Sequence, residues 1–164
     1  MSSRYSYRAN ARWTSARRGV VQADSEMKSI IFSAPPEFQG ESGFWSPEDF
    51  LVAATASCFV TTFRAIAEFS KFEAVALEIS VEGVVEKGDG GYQFTELILK
   101  PKLTIRQEGD RERAARLLEK TEHSCLISRS LKSKITMEPK IQVAEPQMTE
   151  QAEIQLVGLS GINR

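Results

Sequence analysis

The chain has 164 residues, 41% hydrophobic and 26% charged, with 21 Lys and Arg against 22 Asp and Glu. That is enough chain to bury one core, and the near-neutral balance speaks against a nucleic-acid surface or a membrane-seeking patch as its main business. Two cysteines and one histidine fall short of the four ligands a structural zinc wants, so no metal is expected.

The first residues, MSSRYSYRANARW, lack the apolar stretch of a signal peptide, and the longest weakly polar run, FLVAATASCFV, is too short to span a bilayer. The expectation is a cytoplasmic protein, where a disulfide is transient and catalytic or sensing. In residues 4–13 Tyr5, Tyr7, Ala9, Ala11 and Trp13 alternate onto one face, which predicts a half-buried strand. GVVQADSEMKSIIFSA reads as a hairpin turning near Asp24 and Ser25. The prolines and glycines of PPEFQGESGFW mark a loop.

A helix follows. Ser46 suits the N-cap, Pro47 the first helical position, and Glu48 and Asp49 the positive end of the helix dipole. Asp49 stands three after Ser46, the spacing of a capping box. Leu51, Ala54, Thr55, Cys58, Thr62 and Ile66 share a face at helical spacing, and the helix runs to about Phe69. Residues 74–87 and 92–107, joined through GDGG, form a long β-hairpin. EGDRERAARLLEKTEHS is a second helix with Asp110 as its N-cap, CLISRSLK a short third one, and KITMEPKIQV a closing strand bent at Pro139. The pattern is α+β: antiparallel sheets around a long, buried central helix. Residues 1–143 make a single domain, and 144–164 a C-terminal extension in which IQLVGL could dock.

The chemistry concentrates on the two thiols. A lone cysteine on an apolar helix face is most often a small buried hydrophobe. Here, however, SPEDFLVAATASCF resembles the central-helix motif of the OsmC/Ohr family, the osmotically inducible and organic hydroperoxide resistance proteins, with Pro47, Glu48, Leu51, Ala53, Ala54, Cys58 and Phe59 at the family spacing. EHSCLISRSLK resembles its second cysteine motif, with Cys125, Ser128 and Ser130. The resemblance spans about residues 5–143. Leu126 replaces a proline found in the best-characterised branches, which places the chain in an OsmC-like side branch.

The resemblance implies an intertwined homodimer that reduces organic hydroperoxides without a cofactor and is re-reduced by a dithiol, such as a lipoylated protein. Cys58 would be the peroxidatic nucleophile, Cys125 the resolving cysteine, and Glu48 the carboxylate that aims an activating arginine. In SARRGVVQAD Arg17 matches that arginine, with Arg18 the alternative. A thiolate is the attacking species, so a neighbouring cation must lower Cys58 from roughly 8.5. Glu48 and Cys58 are ten residues apart, about 15 Å along one helix, so Glu48 is expected to serve the Cys58 of a second copy. Phe38, Phe44 and Trp45 either line an apolar substrate mouth or act as core or interface aromatics. No nucleic-acid or membrane partner is expected. A second functional class remains open: a non-catalytic thiol sensor or binding module on the same scaffold.

Overall fold

A computed structural model describes residues 4–23 and 28–145 of the chain. The expected turn at Asp24 and Ser25 and the IQLVGL segment lie outside the described residues. Three strands, β1 (Ala9–Ser15), β2 (Arg18–Ala23) and β3 (Ile30–Ser33), form one antiparallel sheet in that order. This is the expected hairpin preceded by the expected strand. The first strand is not half-buried, however: all seven β1 residues are exposed, with Trp13 74% exposed and Tyr5 and Tyr7, before the strand, 79% and 89%. Alternation places the aromatics on one face, but nothing among the described residues covers that face.

The small sheet is tied to the loop before the central helix. Ser33 donates its N–H to Trp45 O at 2.9 Å, Ala34 donates to Arg17 O at 3.1 Å, and Glu41 N–H donates to Ser33 Oγ at 2.9 Å. The central helix, α1, runs Pro47–Phe69 and starts as the sequence predicts. Asp49 N–H donates to Ser46 Oγ at 3.1 Å, and Ser46 N–H donates to Asp49 Oδ2 at 2.8 Å, which closes the capping box. Ser46→Ala removes an acceptor for an otherwise orphaned helix N–H and is expected to cost about 1 kcal/mol, measured as a lower urea midpoint at unchanged m-value.

The stripe that α1 gives to the core is Thr55, Phe59, Phe63 and Ala67. Of the face expected from the sequence, only Thr55 is fully buried; Leu51, Ala54, Cys58, Thr62 and Ile66 are half-buried beside it. Two apolar stripes compete on this helix, and the one carrying two phenylalanines removes the larger area from water. By length and composition alone, an 18-residue stretch of α1 is apolar enough to cross a membrane. The 11-residue run ends short of this stretch, because Phe63, Ala65, Ile66 and Ala67 carry the apolar character on towards Phe69. Within that stretch Phe59 and Phe63 are buried in the protein core.

The hairpin of β4 (Ala74–Gly88) and β5 (Gly91–Ile105) pairs in antiparallel register from Ala74↔Ile105 to Gly88↔Gly91. Gly91, at φ +104°, supplies the turn backbone that a side chain would strain. A Cβ at Gly83 would fall 2.5 Å from the Phe94 ring and 3.0 Å from Val52, so the bare backbone there lets α1 lie close on the sheet. Helix α2 (Arg111–Ser124) follows. Asp110 stands at its N-cap but makes no capping hydrogen bond, because its own backbone is already helical in the preceding 3₁₀ turn. Arg111 instead ties α2 down, donating to Ile141 O at 2.8 Å and to Glu108.

After the short α3 (Leu126–Ser130) the closing segment splits into β6 (Lys134–Met137) and β7 (Lys140–Val143), divided at Glu138 and Pro139. Both pair parallel with β5. The second sheet is therefore mixed, since a helical crossover returns the chain in the direction of β5. One core results, in which Phe59 and Phe63 meet Leu97, Leu99, Leu103 and Ile105 of β5 and Ala114 and Leu118 of α2.

Candidate active site: two thiols at the break between α2 and α3

Cys58 sits midway along α1. Cys125 occupies the single non-helical residue between α2 and α3, with φ −64° and ψ 115°, and so ends one helix and begins the next. The break leaves the N–H groups of Leu126 and Ile127 without intrahelical acceptors, and both face the Cys58 sulfur. Cys58 is half-buried and Cys125 is fully buried; both are free thiols.

Burial alone raises the pKa of Cys58. The Ile127 N–H, the Cys125 thiol, the Thr62 hydroxyl and the Leu126 N–H act together against burial and hold it below the ordinary thiol value. For Cys125 burial wins: neither the Ser128 hydroxyl nor its N–H offsets it, the facing Cys58 adds to it, and this thiol is pushed up. The buried Ser128 hydroxyl lies beside it without a well-formed hydrogen bond. The pair is thus asymmetric. Cys58 ionises first while Cys125 keeps its proton and donates towards it, the order that a nucleophile and a waiting second thiol require.

The other candidates gather elsewhere. Glu48, in the first turn of α1, is separated from Cys58 by about 15 Å of continuous helix. Its Oε2 is enclosed without a hydrogen-bond partner and borders a cavity of about 490 Å³ shared with Glu37, Phe38, Tyr92 and Phe94. Phe38 meets the Tyr92 ring edge-on at 5.0 Å. Phe44 and Trp45 border a separate open cavity of about 480 Å³ with Val52, Ala53 and Ala56, and Trp45 stacks on Phe50 at 5.6 Å. Arg17 donates to Gln39 Oε1 at 3.1 Å, whereas Arg18 pairs with Glu41 and lies 4.5 Å over the Phe44 ring. Within one chain, then, Cys58 and Cys125 come together at the middle of α1, while Glu48, Phe38, Phe44, Trp45 and Arg17 cluster around its N-terminal end. No guanidinium among the described residues bears on Cys58; backbone amides do the lowering expected of a cation.

The amides of Leu126 and Ile127 carry no side-chain signature and could not be read from the sequence. Thr62 could have been, because it follows Cys58 by four residues and faces it on a helix. Among the described residues no group of three His, Cys, Asp or Glu side chains is placed to hold a metal ion.

A two-sheet α+β domain whose central helix presents one thiol to a second at a helix break defines a class of paired-thiol protein. The family model of OsmC-like proteins matches residues 40–140, and the chain belongs to that family. It is 26% identical over 136 residues to the uncharacterized protein YmaD of Bacillus subtilis (strain 168), covering 81% of this chain and 91% of that one. Among solved structures it is similar to an OsmC-like protein of unknown function from Vibrio cholerae, with TM-score 0.74, 18% identity and coverage of 83% of this chain and 99% of the other. An organic hydroperoxide resistance protein of Legionella pneumophila superimposes with TM-score 0.71 at 21% identity, over 87% and all of the two chains. OhrB of Bacillus subtilis does so with TM-score 0.63 at 21% identity, over 84% and 98%. At these identities the structural likenesses speak for the fold.

Proposed function

We propose that the protein is a cytoplasmic thiol peroxidase that reduces organic hydroperoxides. The observation that carries the reading is the asymmetric pair: a Cys58 sulfur lowered by two amides, against a Cys125 thiol that stays protonated. The Cys58 thiolate attacks the terminal oxygen of the hydroperoxide. The O–O bond breaks, the alkoxide leaves and takes a proton to become the alcohol, and the sulfur becomes a sulfenic acid. The Cys125 thiol then attacks that sulfur, giving a disulfide and water, and an external dithiol returns both sulfurs to thiols as it becomes a disulfide itself. Membership of a family that includes proteins named for organic hydroperoxide resistance supports this sequence of steps.

The working unit is a homodimer. The exposed aromatics on and before β1, with Trp13 at 74% exposure, and Ile31 at 53% give apolar surface for a second copy to cover. In that unit Glu48 and Arg17 serve the Cys58 of the partner, and Phe38, Phe44 and Trp45 line the approach of an alkyl chain. Steady consumption of cumene hydroperoxide with dihydrolipoamide as reductant, by a species of twice the 18.3 kDa chain mass in light scattering, is the expected result. A fully active monomer overturns the shared site.

One observation favours a second reading. No guanidinium among the described residues reaches Cys58, as suits a thiol sensor tuned for slow oxidation. Reversible formation of the Cys58–Cys125 disulfide without sustained turnover in the same assay identifies the sensor.

A further inference from the structure

We propose that Thr62 is a positioning residue for Cys58: its hydroxyl donates to the sulfur and holds it towards the N–H groups of Leu126 and Ile127. The inference deepens the reading of Cys58 as the nucleophile and rests on it. Helical threonines ordinarily turn the hydroxyl back to a carbonyl three or four residues earlier. Thr55 bonds Leu51 O at 3.1 Å, and Thr61 bonds both Ser57 O and Cys58 O at 3.1 Å. Thr62 differs. Its Oγ1 lies 3.8 Å from Cys58 Sγ, and the carbonyl it would otherwise seek, that of Cys58, already accepts the Thr61 hydroxyl as well as a helical N–H.

The Thr62 hydroxyl turns to the sulfur instead of to the Cys58 or Phe59 carbonyl, the contact it makes being the one to Cys58 Sγ. A donor to sulfur gains most when the sulfur is ionised, because hydrogen bonds to charged groups are about twice as strong as neutral ones. The contact also restrains the Cys58 side chain, which would otherwise turn along the helix, away from the amides. Of the titratable and charged groups on the elements packed against α1, Cys125 at the α2–α3 break is the one that acts on Cys58 among the described residues. The hydroxyl of Thr62 is therefore the side-chain lever on this sulfur that does not itself titrate.

The test uses the full chain as wild type, Thr62→Val, which keeps the shape and loses the hydroxyl, and Thr62→Ser, which keeps the hydroxyl. Iodoacetamide alkylation of Cys58, located by peptide mass spectrometry, is followed against pH. Thr62→Val is expected to alkylate about three- to tenfold more slowly on the acidic limb, the scale of one ordinary hydrogen bond, as befits a long contact to sulfur. Its rate should converge with wild type on the alkaline plateau, and Thr62→Ser should restore the wild-type profile. An unchanged valine profile, a loss that persists on the plateau, or a serine variant that behaves like valine overturns the proposal. The alkylation profile does not depend on turnover. A shifted profile in a protein that consumes no hydroperoxide leaves the positioning role standing and removes the peroxidase.

Discussion

Cys58→Ser is expected to lower hydroperoxide consumption by at least about a thousandfold, the scale on which loss of a covalent nucleophile acts. Serine at this position keeps the size and most of the packing, but its hydroxyl does not ionise near neutral pH, so the amides of Leu126 and Ile127 have no anion to stabilise. Cys125→Ser is expected to differ in kind. The Cys58 thiolate still takes one oxygen, so alcohol appears in a burst equal to the protein present, and turnover then stops. Without a second thiol to condense with, the sulfenic acid proceeds to sulfinic and sulfonic acids, visible as added oxygens in the intact mass. Retained turnover in Cys58→Ser, or unbroken cycling in Cys125→Ser, would remove the two-thiol mechanism. The pH dependence has a definite sign. A thiol held below its ordinary value stays ionised further into acid, so the burst rate persists to lower pH than for an ordinary thiol and falls as pH drops through the Cys58 pKa.

The largest effect on stability is expected at Phe63. Its side chain is fully buried where α1 meets β5 and α2, and truncation to alanine leaves a cavity that this close-packed junction can only partly fill. The expected cost is about 3–5 kcal/mol, a large share of a typical domain's roughly 5–15 kcal/mol. The melting temperature should drop by roughly 10–20 °C. Phe63→Leu keeps most of the apolar volume and should lose clearly less. Equal losses for the two variants in differential scanning calorimetry would mean that Phe63 does not pack as described.

The helix of Pro47–Phe69 was legible almost to the residue because its signals are local. Ser46 and Asp49 close a ring of four residues, and Pro47 tolerates only the first turn. The long hairpin was legible for the same reason, since GDGG admits a tight turn between two runs of branched residues. The two cysteines were legible as a pair through the motifs around them. Legibility failed where contacts are remote. Leu51, Cys58 and Ile66 satisfy helical periodicity as well as Phe59 and Phe63 do, and the choice between the stripes belongs to β5 and α2. The parallel pairing of β6 and β7 depends on where a crossover returns the chain, and the alternation of residues in a strand does not encode direction.

The site divides along the same line. The amino-acid sequence on its own settles which side chains can do thiol chemistry, because ionisable sulfur is a property of the residue, and it places Cys58 on a helix, because helix signals act over a few residues. The residue types do not say which sulfur ionises first; only the resemblance of the motif around Cys58 assigned it that role. That order comes from where the chain breaks: Cys125 stops α2 and starts α3, and the break aims the N–H groups of Leu126 and Ile127 at Cys58 while burial keeps Cys125 protonated. Backbone amides are common to every residue, so they leave no trace in a sequence. Only packing α3 against α1 turns two of them into the field that separates one thiol from the other.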